Sequence, residues 1–432
     1  MPDFVVVGGG IGGLVVARRL AKAGKNVTLV EARDHLGGTV ARQTVGGLAL
    51  DAGAESFALR GGTVAALATE LGLGNEIVSP NPGGAWLQPS SGEAKPLPQM
   101  SLMGIPGSPL AQDVIDILGT GPAFRAFAEA LLPGTYGAKS VSLGELVERR
   151  MGTAVLENLV APIVRGVHSM EPHDLELDRV APGLRAALRR TGSLARAVRE
   201  TRASATKAGS AVAGIRGGIS RLVDELAVDL STYGVTVLLN SRATDVTPES
   251  VMVDGETIEG RVIVAAPGVL GDTAGEPAGA SGGASAGGGH LAVLTTLVLD
   301  APELDSAPRG TGVLVAAGAQ GIRARALTHS TAKWPWLAER AEGKHVVRLS
   351  YSGALDNHAD VAREDAARLL GITLPPARVL DYARVRWTRP DRQTHTPDGI
   401  SLVGETASGT GLAAVIAQAE AEALLLLRDF PQ

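Results

Sequence analysis

Two glycine-rich turns and one carboxylate are the residues of this chain best placed to do chemistry. Gly8-x-Gly10-x-x-Gly13 follows the apolar run Phe4–Val7 and opens a helical pattern that reaches Leu20. A second apolar run, Val27-Thr-Leu-Val, ends at Glu31. A strand, a glycine turn, a helix, a second strand and an acid at its end form a dinucleotide-binding signature. Gly8 permits the tight turn, Gly10 lets a pyrophosphate approach the backbone and helix N-terminus, and Gly13 lets helix and strand pack closely. Glu31 stands where a carboxylate grips ribose hydroxyls. Near the other end, Gly404-Glu405-Thr-Ala-Ser-Gly409-Thr-Gly411-Leu412 again closes a strand and opens a helix. Two phosphate-type turns far apart in one chain suit a long cofactor held at both ends.

The elements around these turns read as α/β. Helical patterns are expected over 111–132, 142–151, 153–165, 181–200, Ile219–Leu230 and Asp360–Leu370, with a long Ala/Leu helix in the tail 400–427. Strands are expected at Val235–Leu239, around Val251 and Ile258, at Val262–Ala266, Ala292–Leu299, Gly312–Ala317 and His345–Tyr351. The strand ending Ala265-Ala266-Pro267-Gly268 exits towards a cofactor. Residues 271–289 are Gly/Ala/Ser-rich without periodicity and read as a surface loop. The expected organisation is interleaved: 1–79, 210–268 and 389–432 as a Rossmann-like FAD-binding domain, 80–95 and 269–388 as a mixed-sheet substrate domain, and 96–209 as a helical domain.

Composition narrows the class. The 432 residues are 45% hydrophobic, enough for two or three domains. The net charge of −5 implies no nucleic-acid partner. The absence of cysteine rules out disulfides, thiolate catalysis, cysteine-ligated iron–sulfur clusters and a cysteine-tethered flavin. The first apolar stretch has no basic n-region or cleavage site, and no run of about 18 apolar residues occurs. A cytoplasmic protein is expected, with peripheral membrane contact left open. The histidines show no metal-ligand spacing, so no metal is expected. His168, His173, His290, His329 and His345 read as structural or surface residues.

The order of motifs resembles the oxygen-dependent porphyrinogen oxidases, the protoporphyrinogen/coproporphyrinogen oxidase group within the flavin amine oxidase superfamily. Glu31-Ala-Arg33-Asp-His-Leu-Gly37-Gly38-Thr39 is similar to that superfamily's FAD-binding entry. Asp51-Ala-Gly53-Ala-Glu55-Ser56-Phe57-Ala-Leu-Arg60 is similar to the group's stretch under the flavin ring. Leu97-Pro98 with Met103-Gly104-Ile105-Pro106 resembles its entry to the helical domain, and Ser142–Gly152 with Pro162–His168 its helical core. Gly214–Leu222 resembles the turn before the middle FAD helix, and Gly409–Leu412 the C-terminal flavin turn. The likeness runs through almost the whole chain. Departures are Ala407-Ser408 where an aromatic and a basic residue are usual, His168 for a common aromatic, a short Trp387-Thr-Arg-Pro390 stretch, and Gln99-Met100-Ser101 where an arginine is expected. They bear on substrate contacts more than on the flavin.

The resemblance implies FAD contacts at Gly8, Gly10, Ile11, Gly12, Gly13, Glu31, Ala32, Arg33, Gly37, Gly38, Thr39, Gly53, Ala54, Glu55, Ser56, Ala243, Ala266, Gly404, Glu405, Gly411, Leu412 and Ile416. It implies haem-biosynthetic oxidation of a porphyrinogen, with hydride transfer to flavin and O2 or another acceptor reoxidising it. The cofactor carries the redox chemistry, so no acid, base or metal need stand out. Substrate propionates require cations. Candidates are Arg60, Lys95, and Arg185 with Arg189, which share a helix face within the basic run Arg179–Lys207. Coproporphyrinogen III is the expected substrate, on the chain's soluble, aromatic-poor character and its Ala/Gly/Arg-rich, GC-type composition. Protoporphyrinogen IX, another flavin oxidoreductase such as an amine oxidase or carotenoid desaturase, and a non-catalytic FAD-binding partner are the alternatives.

Overall fold

The computed structural model describes residues 1–59, 61–168, 170–206, 212–266, 269–270, 290–353, 357–389 and 398–430. The chain divides into two compact units. Unit 1 comprises Met1–Ser79, Val212–Leu291 and Val385–Gln432; unit 2 comprises Pro80–Ala211 and Ala292–Arg384. Of the regions expected as substrate and helical domains, 80–209 and 292–384 fall together in unit 2, while 269–291 and 385–388 belong to unit 1.

Unit 1 is an α/β layer built on a parallel sheet. Its strands lie in the order Thr236–Leu238, Val27–Val30, Phe4–Val7, Arg261–Val264, Ser401–Leu402. Adjacent strands are parallel throughout. Alternation sorts the side chains: Phe4 and Val6 join the core with the helices, whereas Val5, Val7, Val262 and Val264 pack with Val251 and Val253 of an antiparallel hairpin on the other face. That hairpin pairs Ser250–Val253 with Glu256–Glu259. The first helix, Ile11–Lys22, packs against the last, Leu412–Asp429, and is tied to two more through buried Arg18. Arg18 bonds Asp229 at 2.7 Å and Glu70 at 3.0 Å. With 2% exposure it is a structural cation, satisfied by both acids.

Unit 2 combines a mixed seven-stranded sheet with a helical cluster. The sheet runs Val379–Arg389, His290–Leu299, His345–Ser352, Ala326–His329, Gly312–Val315, Trp86–Gln88, Lys95–Pro96. The helical core centres on Leu143, Leu146, Leu159, Leu184 and Leu194. It is cross-braced by the fully buried pair Arg150–Glu129 at 2.8 Å. Arg150 also donates to the carbonyls of Pro133, Tyr136 and Gly192. Glu129 accepts from Ser193 Oγ, Leu194 N and Ala195 N, capping the helix Leu194–Thr206.

Long helical patterns break where local chemistry requires it. The expected 111–132 helix is Gln112–Leu118, Thr120–Phe127 and a 3-10 turn, interrupted at Gly119 with φ 79°. The 181–200 pattern splits at Gly192, φ 71°, into Leu184–Thr191 and Leu194–Thr206. The 153–165 helix extends to His168 and carries a π turn over Leu156–Val160. Pro162 has no N–H for the preceding turn, and the ladder widens there. Strand Ala326–His329 and helix Pro335–Ala341 were not anticipated; both are short and weakly patterned. The 271–289 loop and Pro267-Gly268 lie outside the described residues.

Candidate functional site

In unit 1 the glycines of the N-terminal turn divide by what surrounds them. Gly8 has φ +110°, and a Cβ there would stand 2.8 Å from Ala266 N. At Gly13 a Cβ would be 2.0 Å from the Gly8 carbonyl oxygen. Both close the turn and admit only glycine. At Gly10, by contrast, a Cβ meets no atom within 4 Å. Gly10 is the N-cap of the first helix, with no side-chain cap and no acid in the first turn. The helix therefore starts uncapped beside open space at Gly10, the arrangement that accepts a phosphate.

Glu31 stands beside this turn. Its Oε2 accepts from Gly9 N at 2.7 Å and its Oε1 from Arg33 N at 2.9 Å. These bonds orient the carboxylate and leave each oxygen further accepting capacity. Gly37 N donates to Gly9 O at 2.8 Å, and a Cβ on Gly38 would lie 3.2 Å from Gly10 Cα. The second glycine pair is thus folded onto the first. Gly53 approaches Thr39 so closely that a Cβ would be 1.8 Å from the Thr39 carbonyl oxygen. Ala54, Glu55 and Ser56 follow, half-buried. Ala32 and Arg33 are exposed, and the Arg33 guanidinium lies 5.5 Å from the Trp387 ring centroid. Ala243 is half-buried in a short strand opposite Val253.

The C-terminal turn meets the N-terminal one. A Cβ on Gly12 would be 3.0 Å from Gly404 Cα, so the two glycine segments touch although nearly the whole chain separates them. Glu405 opens a single helical turn after Gly404. Gly411, φ +114° with nothing within 4 Å of its Cβ position, then opens the last helix, also without a side-chain cap. Leu412 is half-buried. Ile416 needs correction: it is fully buried in the unit 1 core, on the helix face turned inward, and packs rather than reaching a ligand. Ile11 is likewise a core side chain and offers a ligand only its backbone. Two open cradles at uncapped helix ends and a carboxylate fit an anionic dinucleotide.

Asp51 escaped the sequence reading. Its oxygens accept from Ile219 N and Ser220 N, each at 2.9 Å, fastening the 51–56 segment to the turn before helix Arg221–Thr232. Only Asp51's position at the head of a quoted motif hinted at it, because its partners lie 168 and 169 residues away.

In unit 2 the cation candidates fare differently. Arg185 Nε bonds both carboxylate oxygens of Asp178 at 3.1 Å, and its two terminal nitrogens bond the carbonyls of Ala138 and Ser140. It clamps helix Leu184–Thr191 to the 138–140 segment, which corrects its expected role as a substrate anchor. Arg189 is exposed one turn further on. Arg190 pairs with Glu200, and Arg199 and Arg202 donate to the carbonyls of Gly107 and Ser101. Much of the basic run therefore serves the protein itself. Lys95 is half-buried on a short strand opposite Leu87. Arg60 and Lys207 lie outside the described residues.

The histidines include a buried chain. His329 Nε2 lies 3.1 Å from His345 Nδ1, and His345 Nε2 lies 3.0 Å from Asp305. Burial, with His345 adding to it, lowers His329 from 6.5 to about 4. His173 lies at the surface, 3.2 Å from Glu148.

Comparison with known proteins agrees with this geometry. Residues 11–270 match the family described as flavin containing amine oxidoreductase. A coproporphyrinogen III oxidase of Mycobacterium leprae is 31% identical, over 96% of this chain and 93% of its own. One of Bacillus subtilis is 24% identical over 96% of each chain. Among solved structures, a provisionally named protoporphyrinogen oxidase from Exiguobacterium sp. 255-15 superposes with a TM-score of 0.80, at 22% identity, over 99% of this chain and 98% of that one. No helix among the described residues is long and apolar enough to cross a membrane.

Proposed function

Because the chain belongs to the flavin containing amine oxidoreductase family, we propose that it is an FAD-dependent coproporphyrinogen III oxidase that forms coproporphyrin III with O2 as electron acceptor. The observation that carries the FAD reading is the contact of two glycine turns from opposite ends of the chain beside Glu31. A mononucleotide needs only one such turn. The substrate reading is supported by the near-full-length likeness to relatives named for this reaction.

Bound FAD would supply a hydride acceptor. Aromatising the macrocycle removes six hydrogens in three two-electron rounds of one hydride and one proton each; in total four hydrogens leave the meso carbons and two leave the pyrrole nitrogens. O2 takes two electrons and two protons per round and leaves as hydrogen peroxide. The first amides of the helices beginning at Ile11 and Leu412 would hold the cofactor's phosphates, and Glu31 a ribose. Unit 2 would bind the macrocycle.

The test is anaerobic mixing of the yellow protein with coproporphyrinogen III, protoporphyrinogen IX or an amine. Coproporphyrinogen III should bleach the flavin fastest and turn fluorescent. Bleaching by an amine alone would transfer the chain to the amine oxidases. Acid precipitation should release FAD, since there is no cysteine to tether it. Stoichiometric NAD without flavin would overturn the cofactor reading.

A further inference from the structure

One helix of unit 2 turns its largest apolar side chains outward. Helix Thr120–Phe127 continues into the 3-10 turn Ala128–Leu131. Its inner side is closed, with Ala123, Ala126 and Glu129 fully buried. Phe124, Phe127 and Leu131 follow at spacings of three and four, which gathers them on the outer side. They are 57%, 51% and 87% exposed. The chain holds only five phenylalanines. Phe4 and Phe57 are buried, and Phe430 meets the Phe4 ring at 5.9 Å and the Arg261 guanidinium at 4.6 Å. The other two lie one helical turn apart in solvent. Scattered single apolar residues are ordinary on a surface, but a cluster of two aromatic rings and a leucine marks a contact surface.

Charge selects the partner. Between Ile117 and Gly144 the only acid is Glu129, which is buried against Arg150. The cations of that stretch, Arg125 and Lys139, are both exposed. Arg125 donates to the carbonyls of Arg149 and Arg150 and keeps its charge. Two acids border the following loop, and both are paired: Asp178 with Arg185 and Glu145 with Arg149. The loop itself is held from beneath. Arg150 takes the carbonyls of Pro133 and Tyr136, and Arg185 those of Ala138 and Ser140. Tyr136 and Lys139 are therefore exposed on a fixed backbone. A two-fold contact with a second copy would set this cationic patch against itself, with no unpaired acid to offset it. An anionic bilayer meets both demands, because its acyl boundary takes the rings and its phosphates take the cations.

We propose that Phe124, Phe127 and Leu131, with Tyr136 and Lys139 at the rim, dock unit 2 on the surface of an anionic phospholipid bilayer. Eight helical residues lie in such an interface and do not cross it. The docking depends on neither the cofactor nor the substrate.

The experiment is co-sedimentation of the full chain with vesicles of phosphatidylcholine alone, or of phosphatidylcholine mixed equally with phosphatidylglycerol, at low and high salt. Wild type should bind the mixed vesicles at low salt and release at high salt, where exposed charges are screened. Phe124→Ser with Phe127→Ser should weaken binding about 10–100-fold, the worth of two half-exposed rings. Lys139→Glu should weaken it about tenfold, and on the mixed vesicles only. The side chains changed are exposed, so thermal midpoints should hold. Should the double variant fail to fold, Leu131→Ser and Lys139→Glu still decide the matter. A wild type that ignores mixed vesicles at low salt would overturn the proposal, and so would wild-type affinity in all the variants. Equal binding to phosphatidylcholine alone would overturn the anionic preference. A wild-type dimer in sedimentation velocity that the phenylalanine variant splits, without vesicle binding, would give the patch to a second copy instead.

Discussion

Both units build on a sheet, yet they place their chemistry differently. In unit 1 both sheet faces are sealed, one by helices around Leu14 and Leu226 and the other by the Val251–Val253 hairpin. What remains open is the row of strand ends, where Gly10 and Gly411 leave backbone amides accessible. In unit 2 the two sheet faces differ: Val293, Thr295 and Leu297 lie on one that is buried, whereas Thr328 and Ser350 on the other are half-buried. Unit 1 thus leaves space open beside its backbone turns, and unit 2 leaves side chains part-exposed on one sheet face. Backbone recognition demands residues that are small; face recognition demands residues in register.

The largest effect should come from Gly10→Val. Among the described residues no atom lies within 4 Å of the Cβ it would add, so the fold should survive while bound flavin is lost. Full flavin content in the purified variant would show that the phosphate lies elsewhere. Gly13→Val makes the contrast sharper, because its Cβ would be 2.0 Å from the Gly8 carbonyl oxygen. It should yield little folded protein, as judged by circular dichroism.

Next is the pH response of unit 2. His329 is held near 4 while the unfolded chain titrates near 6.5. Between those values the unfolded chain binds a proton that the folded one refuses. Stability is therefore complete above about pH 6.5 and falls as pH drops toward 4, by roughly 3 kcal/mol over the window. His329→Gln should flatten the acid limb of the thermal midpoint against pH. An unchanged limb would mean that other groups dominate acid unfolding.

The smallest effect on function should follow Arg185→Met with Arg189→Met. Losing the Arg185 bonds to Asp178, Ala138 and Ser140 should lower stability by about 1–3 kcal/mol. The KM for coproporphyrinogen III should move less than about twofold. A KM raised tenfold or more would return Arg185 or Arg189 to the substrate site.

Much of unit 1 was legible from residue order alone. Gly8, Gly10, Gly13, Glu31 and Gly411 each answer a local demand of a turn or a helix end, and local demands leave local signatures. The α/β class and the family follow from the same residues. Tertiary structure decided the rest. It brought Gly404 onto Gly12, gave Asp51 its partners at Ile219 and Ser220, and turned Ile416 into the core. It also decided the role of Arg185, which met Asp178 seven residues away and the carbonyls of Ala138 and Ser140. An arginine reads the same in sequence whatever it meets in the fold. Only tertiary structure brings up the acids and carbonyls that, as at Arg185, occupy the guanidinium.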